Sequence, residues 1–171
     1  MVQWVLRGTC HKFPDNVHHI GDILPRWLIT QRHTDPDFII PHMFEAIRKG
    51  FSTRVQPGDL IVAGANFGVV PKLNGYLAMA KMGVGLLTES TPFLAYRSAI
   101  GCGVPTLDGC TGVTQLVVDG DTLEVDFRTG AFHNITRGIQ AQFDPIPKEL
   151  HDLVEAGGTI EYLKRHATAP A

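Results

Sequence analysis

The stretch DLIVAGANFGVVPKLNGYLAMAKMGVGLLT, residues 59–88, restricts the fold more than any other part of the chain. An unbroken apolar run, LIVAG (60–64), enters a loop bracketed by Gly64 and Gly68. The loop feeds a segment in which Leu73, Leu77, Ala80 and Lys81 recur at helical spacing, with Gly83 as a stop. VGLLT (84–88) then reads as a second buried strand. TPFLAYRSAI (91–100) reads as a helix with Thr91 as N-cap and Pro92 at its first position, and GVPTL (103–107) as a further strand. Strand, helix, strand, helix, strand in this order requires a parallel sheet with right-handed crossovers, so the class is α/β.

The flanks add to this core, spanning 55–110, without suggesting a second domain. The 171 residues fit one domain, 1–171, with a sizeable core. Val2, Trp4 and Leu6 alternate as a half-buried strand would. Residues 9–41, broken by Pro14, Pro25, Pro36 and Pro41, predict a long irregular excursion, and long loops inside compact domains are often functional. A short helix is expected at 42–50 and a turn at 57–59. In the region 113–136, TQLVV (114–118) and TLEVDF (122–127) predict a hairpin about the turn Asp119–Gly120–Asp121, with another strand at 131–135. The C-terminal part, 147–166, reads as two short helices parted by glycines.

Composition excludes several classes. A formal net charge of −2 and the lack of a basic stripe argue against nucleic acid, and the apolar runs are too short to span a membrane. The opening VQWVLRG shows no charged-then-apolar leader, so a cytoplasmic location is expected. Three irregularly spaced cysteines, Cys10, Cys102 and Cys110, form neither a disulfide framework nor a close metal-binding pair, and buried free thiols are expected. No metal site is expected in this chain.

The candidate site is the loop of Asn66, Phe67, Gly68, Val69, Val70, Pro71 and Lys72. It precedes a helix, whose N-terminal N–H groups suit an anion, and Lys72 adds a cation. Upstream, His18 and His19 point to opposite sides of an extended chain, so at most one reaches a cleft, where imidazole suits proton transfer. Asp22 reads as either a turn residue or a member of the same site.

Several phrases, in order, resemble a known family: KFPDN (12–16), DILP (22–25), VQPGDLIVAGANFG (55–68), MAKMGV (79–84), YRSAI (96–100), GVPTL (103–107), VDGDTLEVDFRTG (118–130) and EAGGTIEYLK (155–164). The chain resembles the small, swivelling-domain subunit of 3-isopropylmalate dehydratase and its aconitase-type relatives. The resemblance implies the β/β/α swivelling fold of the aconitase C-terminal domain. It also implies a large partner subunit, in a heterodimer or heterotetramer, carrying a 4Fe-4S cluster that acts as a Lewis acid. The reaction implied is hydration or dehydration of a small hydroxy di- or tricarboxylic acid. In such enzymes the small subunit contributes a serine base and a carboxylate-clamping arginine, and specificity is associated with the irregular stretch that here runs 26–41.

This chain departs from the family at both sites of acid–base chemistry. After its Asn-Phe-Gly the family continues Cys-Gly-Ser-Ser-Arg-Glu-His; here Val69, Val70, Pro71, Lys72, Leu73 and Asn74 follow, one residue shorter, with Pro71 at the serine and Lys72 at the arginine. Proline cannot remove a proton, and lysine binds carboxylate only as a point charge. Where the family has Asp-Thr-Asp before Ile-Ile-Pro, this chain has His18, His19, Ile20, Gly21 and Asp22. The resemblance therefore places His18, His19 and Asp22 as candidate catalytic groups, and residues 66–72 with Arg26 as candidate substrate contacts. Three functions fit the sequence: a hydro-lyase subunit, a catalytically degenerate scaffold or regulatory subunit, or a homo-oligomeric enzyme with altered chemistry.

Overall fold

The computed structural model describes residues 3–167; Val2, read above as part of the first strand, lies outside them. In chain order the elements are β1 (Val5–Phe13), α1 (Arg26–Thr30), α2 (Pro36–Ile39), β2 (Leu60–Ala63), α3 (Leu73–Met82), β3 (Gly85–Thr88), α4 (Phe93–Gly101), β4 (Thr106–Leu107), β5 (Thr122–Asp126), β6 (Ala131–Asn134), β7 (Ile139–Gln142), α5 (His151–Ala156) and α6 (Thr159–Ala167). The seven strands make one sheet in the order β4-β3-β2-β1-β5-β6-β7. β1, β2, β3 and β4 are parallel, whereas β5, β6 and β7 continue antiparallel from β1.

The sheet divides the core in two because side chains alternate along each strand. Ile61, Ala63 and Leu86 face one cluster together with Ala78, Met79, Met82, Ala95 and Ala99 of α3 and α4. Leu60, Val62 and Leu87 face the other, with Leu123, Val125, Phe127 and Phe132 of the antiparallel half. Burial on both faces is why LIVA is apolar without a break, as parallel strands generally are. α3 stops where expected, with Gly83 in the left-handed region at φ 70°.

β1 joins the two halves. Val5–Thr9 pairs with β5, and Cys10–Phe13 pairs with β2. Its junction is held by Asp59, only 4% exposed. The Asp59 carboxylate accepts from the Thr9 N–H at 2.7 Å and the Gln56 N–H at 2.9 Å, and its second oxygen lies 2.9 Å from His11 Nε2. Gly8 is required beside it, since a Cβ there would lie 2.6 Å from Asp59 Oδ1.

Four expectations are corrected. The excursion starts after Phe13, since the residues from Thr9 on lie in β1. Residues 43–50, after a 3-10 turn over Ile40–His42, form successive turns and no helix, because Phe44 takes φ 59° to bury its ring against Phe13, Phe51 and Phe67. Residues 114–118 are not a strand: both edges of β5 are already taken, by β1 and β6, so Val113–Gln115 closes into a 3-10 turn. The hairpin partner of β5 is β6, and β7 follows it. Finally, α4 begins at Phe93 with Pro92 as its N-cap residue, while the Thr91 hydroxyl donates to Thr88 Oγ1 at 2.9 Å and makes no cap.

Asp59→Ala removes three contacts of a buried carboxylate at once, so it is expected to cost about 3 kcal/mol or more in urea unfolding. Asp59→Asn, whose amide oxygen still accepts, recovers part of this. A loss below about 1 kcal/mol for the alanine variant would contradict the role assigned to the carboxylate.

Candidate functional site

The C-terminal ends of β1, β2 and β3 lie side by side, and the segments that leave them are laced together. The Ala65 N–H donates to Asp15 Oδ1 at 2.8 Å, the Asn16 N–H to the Ala65 carbonyl at 2.7 Å, and Asn66 Nδ2 to Asn16 Oδ1 at 3.0 Å. Gly64 has no room for a side chain because the Asp15 carboxylate occupies the space of a Cβ. Asn66 and Phe67 donate their N–H groups to the Ser90 hydroxyl and carbonyl, both at 3.0 Å. Ligands in open α/β sheets bind at this end of the strands.

The loop's first donors are therefore spent inside the protein. Gly68 and Val69 donate to the Val17 carbonyl at 2.8 and 3.2 Å, and Val69 in turn accepts from the His19 N–H at 2.8 Å. What the loop presents outward begins at Val70, which is 53% exposed and has φ 56°, a strained conformation for a β-branched residue. Pro71 follows, and Lys72, half-buried, is the N-cap residue of α3, with no side chain capping the helix. The N–H groups of the first turn of α3 have no intrahelical partner.

His18 and His19 diverge as alternation requires. His18 is exposed, and its N–H is held at 2.8 Å by Asp22 Oδ2 in a local turn. His19 is fully buried, its ring lying on Gly75, where a Cβ would be 2.5 Å from Cε1 and Nε2. Burial, and then the Lys72 charge, push the His19 pKa down from 6.5 to about 3. Arg26 opens α1 and is exposed. The structure thus brings His18, His19, Asp22, Val69 and Lys72 around one loop.

Sequence reasoning missed Gly75 and Tyr76, which support the loop from α3. The Tyr76 ring lies 5.2 Å from that of His19, and its hydroxyl packs on Gly68. A glycine inside a helical pattern was the available signal. Two concavities, of about 620 and 570 Å³, lie elsewhere; neither is lined by residues 16–26 or 66–72.

Among the described residues no three His, Cys, Asp or Glu side chains converge to hold a metal. Cys10, Cys102 and Cys110 are buried and unpaired, and burial raises their thiols to about 12, 11 and 12. They do not fit an iron–sulfur cluster, which needs accessible thiolates. No helix among the described residues is long and apolar enough to cross a membrane.

The mixed sheet and this loop define an α/β protein that offers a cation and a helix start at the C-terminal end of its parallel strands. No family model matches the chain. It is 33% identical to the 3-isopropylmalate dehydratase small subunit of Caldicellulosiruptor bescii over 162 residues, 94% of this chain and 95% of that one. It is 31% identical to the isopropylmalate/citramalate isomerase small subunit of Methanocaldococcus jannaschii, covering 94% of this chain and 95% of the relative. A crystal structure of 3-isopropylmalate dehydratase from M. jannaschii superposes with a TM-score of 0.84 at 27% identity, covering 95% of both chains. The chain belongs to the 3-isopropylmalate dehydratase small-subunit family, and its fold is the β/β/α swivelling domain.

His19 makes stability pH-dependent. Its folded pKa, about 3, lies below the unfolded 6.5, so between these values the unfolded chain binds the extra proton. Stability from this group is complete above the unfolded value and falls with acidification by up to about 1.4 kcal/mol per pH unit. Urea unfolding from pH 7 to 4 is expected to show this slope, and His19→Leu is expected to flatten it; equal slopes would contradict a buried neutral ring.

Proposed function

We propose that this chain is the small subunit of an aconitase-type hydro-lyase acting on a small hydroxy di- or tricarboxylic acid. The observation that carries the reading is the match along almost the whole chain to proteins named small subunits, combined with the placement of Lys72 at the start of α3. A large subunit, in a heterodimer or heterotetramer, would hold the 4Fe-4S cluster, which supplies Lewis-acid chemistry there. This chain's part is to bind and orient: Lys72 and the α3 N-terminus attract a carboxylate. The exposed imidazole of His18 is the one suited to exchange a proton with substrate, whereas His19, neutral down to about pH 3, is a poor proton acceptor.

The rim supports a partner. Val70, Leu73, Phe93 and Leu94 are 53%, 59%, 75% and 58% exposed, and they stand at or just before the starts of α3 and α4. Exposed apolar residues gathered beside a polar site suit a docking surface. The unpaired thiols fit a reducing compartment such as the cytoplasm. A second reading, a catalytically degenerate subunit, is favoured by Pro71 at the position of the family's serine.

Purified at native expression level, the chain is expected to elute with a larger iron-containing subunit; elution alone would sink the proposal. In the complex, Lys72→Ala is expected to raise KM by about tenfold or more, the worth of a hydrogen bond to a charged group. His18→Ala is expected to lower kcat by about 100-fold or more. Turnover unchanged by either substitution would favour the degenerate subunit.

A further inference from the structure

The only buried side-chain nitrogen or oxygen atoms among the described residues with no hydrogen-bond partner are both ring nitrogens of His19 and the hydroxyl of Tyr76. They belong to two side chains that face each other, at 5.2 Å between ring centroids, and both residues are 0% exposed. Unpartnered buried polar groups are uncommon in proteins, and each is a cost that some other state relieves. Their gathering at one place is the anomaly of this molecule.

The place is directly behind the loop. The Tyr76 hydroxyl packs on Gly68, which has φ 81°, and the His19 ring sits on Gly75. The Lys72 ammonium is near enough to act on the His19 ring. Gly68 lies against the Tyr76 hydroxyl, the Val69 carbonyl accepts from the His19 N–H, and the next residue of this cover, Val70, is held at φ 56°. A strained cover above unsatisfied polar atoms is a closed form that costs free energy, and a ligand that partners those atoms favours its opening.

We propose that His19, Tyr76 and Lys72 form a 2-hydroxycarboxylate slot beneath residues 68–72, filled when that loop moves aside. The proposal rests on the reading of this loop as a carboxylate site and adds how the acid is held. The Tyr76 O–H donates to a carboxylate oxygen, and Lys72 supplies the charge. The bare nitrogen of the neutral His19 ring accepts from the substrate hydroxyl, while the ring N–H points away from the acid. Three separate groups thereby hold the acid in place of the two-pronged grip of an arginine.

The test uses the full chain together with any subunit that copurifies, with malate as the hydroxy acid and succinate as the analogue lacking the hydroxyl. Calorimetry is expected to show malate binding more tightly than succinate, and both Tyr76→Phe and Lys72→Ala are expected to weaken malate by about tenfold or more. Tyr76→Phe is also expected to melt at a higher temperature without ligand, because a buried unpaired hydroxyl is gone. If Lys72→Ala weakens malate and Tyr76→Phe does not, the slot is wrong and the carboxylate-binding loop stands. If neither substitution weakens binding, or malate does not bind, the loop reading falls with the slot. Should Tyr76→Phe fail to fold, the ¹⁵N resonances of the His19 ring decide: they are expected to shift on saturation with malate, and unchanged resonances would overturn the slot.

Discussion

The carboxylate of Asp59 is the interaction on which the arrangement depends. It sits at the one point where β1 changes partner, and it binds backbone on both sides of that point through Thr9 and Gln56, with His11 closing the third contact. A slip of one residue between β1 and β2 would turn Cys10 and Phe13 to the wrong faces, since alternation assigns them to different cores. Fixing that register also fixes which residues leave the strand ends together. Asp15 meets Gly64, and Asn16 meets Ala65 and Asn66, only because Phe13 is paired with Ala63.

The segments that leave the strands are more constrained than their loop character suggests. Gly64, Gly68 and Gly75 each lie where another residue's polar side chain fills the space of a Cβ. The backbone N–H groups up to Val69 are spent on Val17, Ser90 and Asp15. The part that can meet a ligand without the loop moving is short: Val70, Pro71, Lys72 and the first turn of α3. Pro71 and Lys72, where the resemblance implies a serine and an arginine, therefore change the side chains on offer without removing the scaffold that presents them.

How much of this was legible in the sequence follows from where each signal came from. β2, α3 and β3 were readable because burial on both faces makes unbroken apolar runs and because Gly83 ends the helix by a local backbone requirement. The opposite fates of His18 and His19 were readable from alternation alone. Residues 42–50 and 114–118 were not, since their conformations are set by distant partners: the aromatic pocket that receives Phe44, and the prior occupation of both edges of β5. Tyr76 was invisible as a site residue because its position in a helical pattern reads as core, and only the fold shows that its hydroxyl ends against Gly68.

The electrostatics of the lip follow from the same packing. A protonated His19 would place two cations behind one loop, and burial prevents this by keeping the ring neutral far below its usual range. Asp22, the nearest acidic residue in sequence, spends a carboxylate oxygen on the His18 N–H. Lys72 then stands as the cation of the lip, reinforced by the positive end of α3, and a neutral imidazole beside it can donate or accept. An anion that also carries a hydroxyl complements all of these features, whereas a bare cation or an apolar ligand complements none. The histidine that looks on sequence like a second proton carrier contributes more by staying uncharged.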